Sequence, residues 1–323
     1  MDHTKQIFVN GRFLLRPMTG VERYAYRACC KMQQEGVAFT VVCPKNGEIQ
    51  KNYNVENFNI VRYGIGSSHL WEQLVLPLFF IGRKDYVLYS FSGLGSILVK
   101  NKIMTIHDLS FLANPAWFSR SYYWFYRIMT PLAVRTSQGI ITVSNFSKSE
   151  ILKYYTFVDS SKIEVKGGSY DKTKFFIENY ADGPQEEPFA LAVASLDPRK
   201  NLSALVAAFS RIEGIKLKIV GSSYKSFAKE DGMEAGANIE YFGRADDKTL
   251  RRLYNTAAFY ISSSLYEGFG LPLIEAKACG CKLVISDIPV YREVCGDDAV
   301  YFNPRSVDDI VNTVNGIMHS ELK

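Results

Sequence analysis

Two carboxylates, Glu267 and Glu275, sit in the segment Tyr266-Glu267-Gly268-Phe269-Gly270-Leu271-Pro272-Leu273-Ile274-Glu275-Ala276. An apolar run ends near Ser262 just before it, and Pro272 stands where the first turn of a helix would begin. Gly268 and Gly270 let bare backbone approach a ligand, and a helix N-terminus offers free N–H groups to a phosphate. Glu267 falls in the loop and Glu275 one turn inside the helix. The pair can therefore bracket one ligand, the first acid on a sugar and the second on a ribose diol. The competing reading is a tight turn with a capping acid, against which two acids and a proline at this spacing count.

Further polar groups stand at the ends of apolar runs. Ala194-Ser195-Leu196-Asp197-Pro198-Arg199-Lys200-Asn201 follows the run Phe189–Val193 and precedes a helical pattern. Arg199 and Lys200 suit a diphosphate, one as a fork and one as a point charge; the alternative is a solvated helix start with Asn201 as N-cap. His107 and Asp108 end the run Ile103–Ile106. There His107 can donate a hydrogen bond to a sugar hydroxyl or phosphate, while Asp108 orients it or anchors the loop. Gly20, after the first apolar run, opens a helical pattern and can admit a ligand group to backbone N–H groups. Ser144, before another helical pattern, is either an N-cap or a ligand contact. The stretch Trp117–Arg127 is the most aromatic in the chain and carries Arg120 and Arg127. It reads either as a surface for lipid or single-stranded nucleic acid, or as a helix packed on a sheet.

Elements that would position these groups alternate along the whole chain. Strands are expected at 7–9, 39–43, 87–89, 103–106 and 139–143, with helices at 21–34, 69–81, 118–136 and 145–155. After residue 188 the alternation restarts, with strands at 189–193, 217–220, 239–242, 259–261 and 283–285. Helices are expected there at 201–212, 246–256, 272–279 and 306–318. Short apolar strands separated by helices imply parallel β-α-β units. The polar stretch 180–188, with two prolines, divides the chain into a domain over 1–170 and another over 188–323, joined by a linker over about 171–187. The expected fold class is α/β, with two facing Rossmann-like domains and a ligand cleft at the carboxyl ends of their strands.

Composition agrees with a globular protein. Of 323 residues, 47% are apolar and 22% charged, with 20 Tyr and 21 Phe, which argues against disorder. The six cysteines form no Cys-x-x-Cys pair and read as reduced core residues of a cytosolic protein. The N-terminus lacks a signal-peptide layout, and the longest nearly apolar run, 74–82, is too short to span a bilayer. Charge is uneven: residues 1–168 carry 20 Lys+Arg against 11 Asp+Glu, whereas residues 169–323 carry 18 against 22. A basic first half suits an anionic partner.

Together these motifs resemble the retaining glycosyltransferases of family 4. The resemblance rests on Glu267 and Glu275 separated by seven residues, Thr19-Gly20-Val21-Glu22-Arg23-Tyr24, His107-Asp108, Val143-Ser144-Asn145-Phe146-Ser147, Pro198-Arg199-Lys200-Asn201, Phe242-Gly243-Arg244, and Ser286 to Glu293. It implies the GT-B arrangement and a nucleotide-sugar donor. Glu267 would contact the transferred sugar, with backbone N–H groups of Phe269, Gly270 and Leu271 supporting sugar and diphosphate. Glu275 would hold ribose hydroxyls, and Lys200 would neutralise the diphosphate. Arg244 would lie by the base, His107 by the sugar and Gly20 by the phosphate.

Two features depart from the family. Its usual Gly-Arg pair past the first strand of the second domain is Ala194-Ser195 here, and Arg199 stands as the replacement cation. Members commonly continue into a last helix that crosses back onto the first domain. This sequence stops at Lys323, so either the chain is truncated or the domains close differently.

The implied activity is a retaining, metal-independent hexosyl transfer, with no cofactor and no Asp-x-Asp at the strand ends. The Pro-Arg-Lys-Asn form resembles members that use GDP-mannose; UDP-hexoses and dTDP-rhamnose stay open. The implied acceptor is a glycan or lipid-linked glycan in cell-envelope polysaccharide synthesis. The protein would be cytoplasmic, with peripheral membrane contact and no nucleic-acid partner. Alternatives on the same fold are a sugar-nucleotide epimerase, a phosphorylase and a non-catalytic nucleotide-sugar-binding subunit. A nicotinamide dehydrogenase is excluded, since no Gly-x-Gly-x-x-Gly follows the first apolar run.

Overall fold

The computed structural model describes residues 5–180, 187–221 and 238–321. Two compact units divide it, residues 1–168 and 169–323. The first holds a seven-stranded sheet of β1 (Gln6–Asn10), β2 (Phe39–Cys43), β3 (Asn59–Arg62), β4 (Tyr86–Ser90), β5 (Lys102–Ile106), β6 (Gly139–Thr142) and β7 (Ile163–Val165). Its order is β3-β2-β1-β4-β5-β6-β7, and every pairing is parallel. Ile7 registers with Phe39 on one side and Val87 on the other. Side chains alternate across a strand, so both faces of β1 are covered: Phe8 packs with Trp71 and Leu88, and Val9 with Phe13, Ala25 and Cys29.

The second unit holds a six-stranded parallel sheet of β8 (Phe189–Val193), β9 (Lys216–Val220), β10 (Ile239–Gly243), β11 (Phe259–Ser262), β12 (Leu283–Ser286) and β13 (Val300–Phe302). Its order is β10-β9-β8-β11-β12-β13. Leu205, Phe209, Leu217, Phe259, Phe302 and Val314 make up much of its core. In each sheet the direction of winding reverses once, at β1/β4 and at β8/β11. Such reversals splay the following loops apart and open a crevice at the strands' carboxyl ends.

Every strand and helix expected from sequence is present within one or two residues at most ends. Three strands escape the sequence pattern, β3, β7 and β13. Each lies at a sheet edge and is three or four residues long, too short to alternate visibly. The helix expected from 118 starts at Arg120, because the Ser119 hydroxyl accepts the Tyr122 N–H at 3.2 Å. In its Trp117–Arg127 stretch Phe118, Tyr123 and Tyr126 pack on a core cluster, as the packed-helix reading has it, while Trp124 is exposed. The helical stretch over 68–79 contains a π turn, Trp71–Val75. Residues 169–180, most of which the sequence reads as linker, pack on the second unit through buried Phe175 and through Glu178, which pairs with Arg251 at 2.8 Å. None of the six cysteines is in a disulfide; five are buried and Cys30 is half-buried. Among the described residues no helix is long and apolar enough to cross a membrane.

Candidate active site

In the second unit the crevice at β8/β11 gathers two of the sequence motifs. After β8 the chain turns through Pro198–Lys200, held by Asp197, whose carboxylate accepts the Arg199 backbone N–H at 3.0 Å and its Nε at 2.8 Å. After β11 the loop folds back against this turn. Leu265 N–H donates to the Arg199 carbonyl at 2.7 Å, and Ser263 Oγ donates to the carbonyls of Lys200 and Asn201, both at 2.9 Å. The two loops are thus one unit of structure, and their side chains meet: Lys200 Nζ donates to Glu267 Oε1. Ser264 Oγ donates to the same oxygen at 2.9 Å. Glu267 is nearly buried, so a carboxylate there needs both partners. Asn201 stands at the N-cap position of the helix Leu202–Phe209, as the alternative reading has it, but in a left-handed turn and without a side-chain cap bond; its amide instead reaches the Pro304 carbonyl at 2.8 Å.

Gly268, Phe269 and Gly270 lead into the helix Leu271–Ala278. Gly270 has φ +98°, and a Cβ there would lie 2.6 Å from Leu273 Cδ1 and 3.0 Å from Tyr291 Cε1. Only glycine fits. Glu275 is on the second turn of this helix, buried, and its charge adds to the burial that raises the pKa of Tyr254. Arg244 is exposed beyond β10, two strands away from the crevice.

Behind Glu267 stands a chain of hydroxyls absent from the sequence reading. Tyr291 OH lies 2.9 Å from Ser262 Oγ, which lies 3.3 Å from Ser264 Oγ. The Ser262-Ser263-Ser264 run at a strand end was the available signal. Tyr291 lies inside the Ser286 to Glu293 motif, but its place beside Ser262 comes from a helix more than twenty residues on.

The first unit builds a second site at the carboxyl end of β5. His107 Nε2 lies 2.9 Å from the Phe91 carbonyl, which only accepts, so Nε2 carries the proton. Burial lowers the His107 pKa, against smaller opposing effects of that bond and of Asp108. The ring is neutral near pH 7 and its Nδ1 is an acceptor. This corrects the sequence reading of His107 as a donor to sugar or phosphate: it can accept from a hydroxyl. Asp108 anchors its loop, accepting the Ser110 N–H at 2.9 Å and hydroxyl at 2.6 Å. Ser144 is the N-cap of the helix Asn145–Tyr154, accepting from Ser147 N–H at 3.0 Å. Gly20 starts the helix Gly20–Gln34, where the Thr19 hydroxyl donates to Glu22.

His107, Asp108, Glu22, Thr19, Tyr122 and Tyr126 are among the residues that enclose a pocket of about 280 Å³. The Tyr122 and Tyr126 rings stack at 4.3 Å, and the buried Thr105 hydroxyl on the lining has no partner among the described residues. Carboxylates, aromatic faces and a spare hydroxyl suit a polyhydroxyl ligand. Beside this pocket is a buried ion pair that sequence reading missed. Arg12 Nη1 lies 3.2 Å from Glu72 Oε2, and Asn10 Nδ2 donates to Glu72 Oε1 at 2.6 Å. Burial alone would raise the Glu72 pKa, but Arg12, His69 and Asn10 together hold it below the ordinary value. Arg12 also packs under Gly93 of the pocket wall, 2.3 Å from where a Cβ would be.

Comparison with known proteins bears on both units. Residues 18–166 match the family model described as Glycosyltransferase Family 4, and residues 175–323 match Glycosyl transferases group 1. The chain belongs to the family 4 glycosyltransferases. Among relatives, O-antigen chain mannosyltransferase B of Escherichia coli is 26% identical over 70% of this chain and 64% of its own. O-antigen chain mannosyltransferase RfbU of Salmonella typhimurium is 29% identical over 64% of this chain and 58% of its own. The matched region thus spans less than two thirds of either relative. Sucrose-phosphate synthase from Thermosynechococcus elongatus, 16% identical, shares the fold over 97% of this chain and 89% of its own, with a TM-score of 0.75. The two parallel-sheet units of this family member are those of the GT-B fold.

Proposed function

We propose that the protein is a retaining glycosyltransferase that moves mannose from GDP-mannose to a glycan or lipid-linked glycan acceptor in cell-envelope polysaccharide synthesis, at the cytoplasmic face of a membrane. The observation that carries the reading is the meeting of Lys200 and Glu267 at the β8/β11 crevice, beside the N-terminus of the helix Leu271–Ala278. A cation for a diphosphate, an acid for a sugar and the backbone N–H groups of the Phe269–Leu271 turn then converge on one donor. The names of the two O-antigen relatives support mannose and the polysaccharide context.

In this reading Glu275 holds the ribose and Arg244 lies by the base. As the bond from the anomeric carbon to the diphosphate oxygen breaks, charge grows on the diphosphate and Lys200 and Arg199 stabilise it without a metal. The acceptor hydroxyl attacks the same face of the sugar, the new glycosidic bond forms, and its proton passes to the leaving phosphate. The first-unit pocket takes the acceptor side, His107 Nδ1 accepting from a sugar hydroxyl. Transfer from GDP-mannose to a membrane lipid extract in the presence of EDTA tests this, with the product anomer read by NMR. Retained configuration is expected. An inverted product, or activity that EDTA abolishes and magnesium or manganese restores, contradicts it.

A further inference from the structure

Large apolar side chains left in water mark interaction surfaces when they are contiguous. The first unit carries such a set on three segments. Leu70, Leu74 and Leu78 recur every four residues through the helical stretch 68–79, each more than half exposed. Trp124 and Ile128, also four apart, stand out from the helix Arg120–Arg135, and Leu98, 67% exposed, lies in the loop after β4. Three contacts stitch these segments together. The His69 ring lies 4.9 Å from that of Phe125. Gln73 donates to the Gly95 carbonyl and accepts from the Ile97 N–H, both at 2.9 Å. Lys102 Nζ joins the Val99 carbonyl at 3.1 Å to the Thr136 hydroxyl at 2.6 Å.

Charge along this part of the chain is predominantly positive. Residues 57–149 contain nine Lys and Arg against three acids. Of the acids, Glu72 is wholly buried beside Arg12 and Asp108 is tied to Ser110, which leaves Asp85. Arg83, Lys84, Lys100, Arg120, Arg127 and Arg135 are exposed. The Arg127 guanidinium lies 5.7 Å from the Trp124 ring centre, an apolar body with a cationic tip. A leaflet with anionic headgroups matches both properties, taking the leucines and Trp124 at the acyl boundary and the arginines on its phosphates.

We infer that this face docks the protein on an anionic bilayer surface. The inference rests on the lipid-linked acceptor of the proposed function and names the surface that would meet its membrane. The helix Arg120–Arg135 also supplies Tyr122, Tyr126 and Thr130 to the pocket that contains His107. Docking therefore brings the pocket wall to the headgroups, where a lipid-linked glycan presents its sugar.

Flotation of the full chain on vesicles tests the face. Vesicles of phosphatidylcholine with phosphatidylglycerol carry the protein at low salt, and phosphatidylcholine alone carries about tenfold less. Leu74→Glu combined with Trp124→Glu cuts recovery about tenfold, with melting temperature and nucleotide-sugar affinity unchanged. Ile177→Glu, at an exposed side chain of the second unit, floats like the wild type. Flotation that ignores lipid charge and salt, or that survives the double substitution, overturns the inference. So does sedimentation showing a dimer that the double substitution splits, since the face then belongs to a second copy. Failed flotation with intact nucleotide-sugar binding removes the docking face alone. Flotation without nucleotide-sugar binding overturns the transferase reading and leaves the face standing.

Discussion

Lys200 donates a hydrogen bond to the carboxylate of Glu267 across 67 residues of sequence. The cation is held in place by a neighbouring acid, as Arg199 is by Asp197. In the proposed reaction donor binding shares these cations with the diphosphate, and their hold tightens as charge builds on the leaving group. Lys200→Ala should therefore lower kcat by roughly 100-fold while weakening donor binding less than about tenfold. Steady-state kinetics beside calorimetry separate the two. A rise in KM at constant kcat would reduce Lys200 to a ground-state clamp.

Glu275→Gln keeps the shape of a buried side chain and removes its charge. A carboxylate bound to a ribose diol contributes roughly 1.5–3 kcal/mol. Affinity for the nucleotide alone should fall by that amount, and calorimetry with the nucleoside diphosphate reads it directly. Unchanged affinity would remove Glu275 from the ribose.

Gly270→Ala forces a side chain into a left-handed turn and against Leu273 and Tyr291. The expected loss of stability is about 1–3 kcal/mol. Donor affinity should fall further, because the loop that moves carries Glu267. Denaturant titration and donor binding on the same preparation check both; a variant as stable as the wild type would mean that the turn relaxes freely.

Burial holds the His107 pKa below its ordinary 6.5. The unfolded chain takes up a proton near that pH which the folded protein resists. Stability from this group is complete above pH 6.5 and declines as the pH falls below it. Melting temperatures measured from pH 7.5 down to about pH 5 should show this slope for the wild type, and His107→Gln should flatten it. An identical slope in both would place the titration elsewhere.

Much of this was legible in the sequence because each signal was local. The buried strands of both units announced themselves as apolar runs, and Lys200 and Glu267 were each conspicuous as charges at strand ends. Their contact was not legible, because it depends on β8 and β11 being neighbours although two strands separate them in sequence. The same reason hid the pairing of Arg12 with Glu72. His107 shows a different limit. Its place at the end of β5 was readable, but its role as an acceptor follows from the Phe91 carbonyl, which no spacing reveals.

The proposed nucleotide-sugar site is built by Lys200, Glu267 and Glu275. Calorimetry of wild type, Lys200→Ala and Glu275→Gln against GDP-mannose, UDP-glucose and dTDP-rhamnose tests it most directly. Saturable binding of GDP-mannose in preference to the others, weakened by each substitution, is the predicted result. Binding of none of the three, or binding that both substitutions leave untouched, would contradict it.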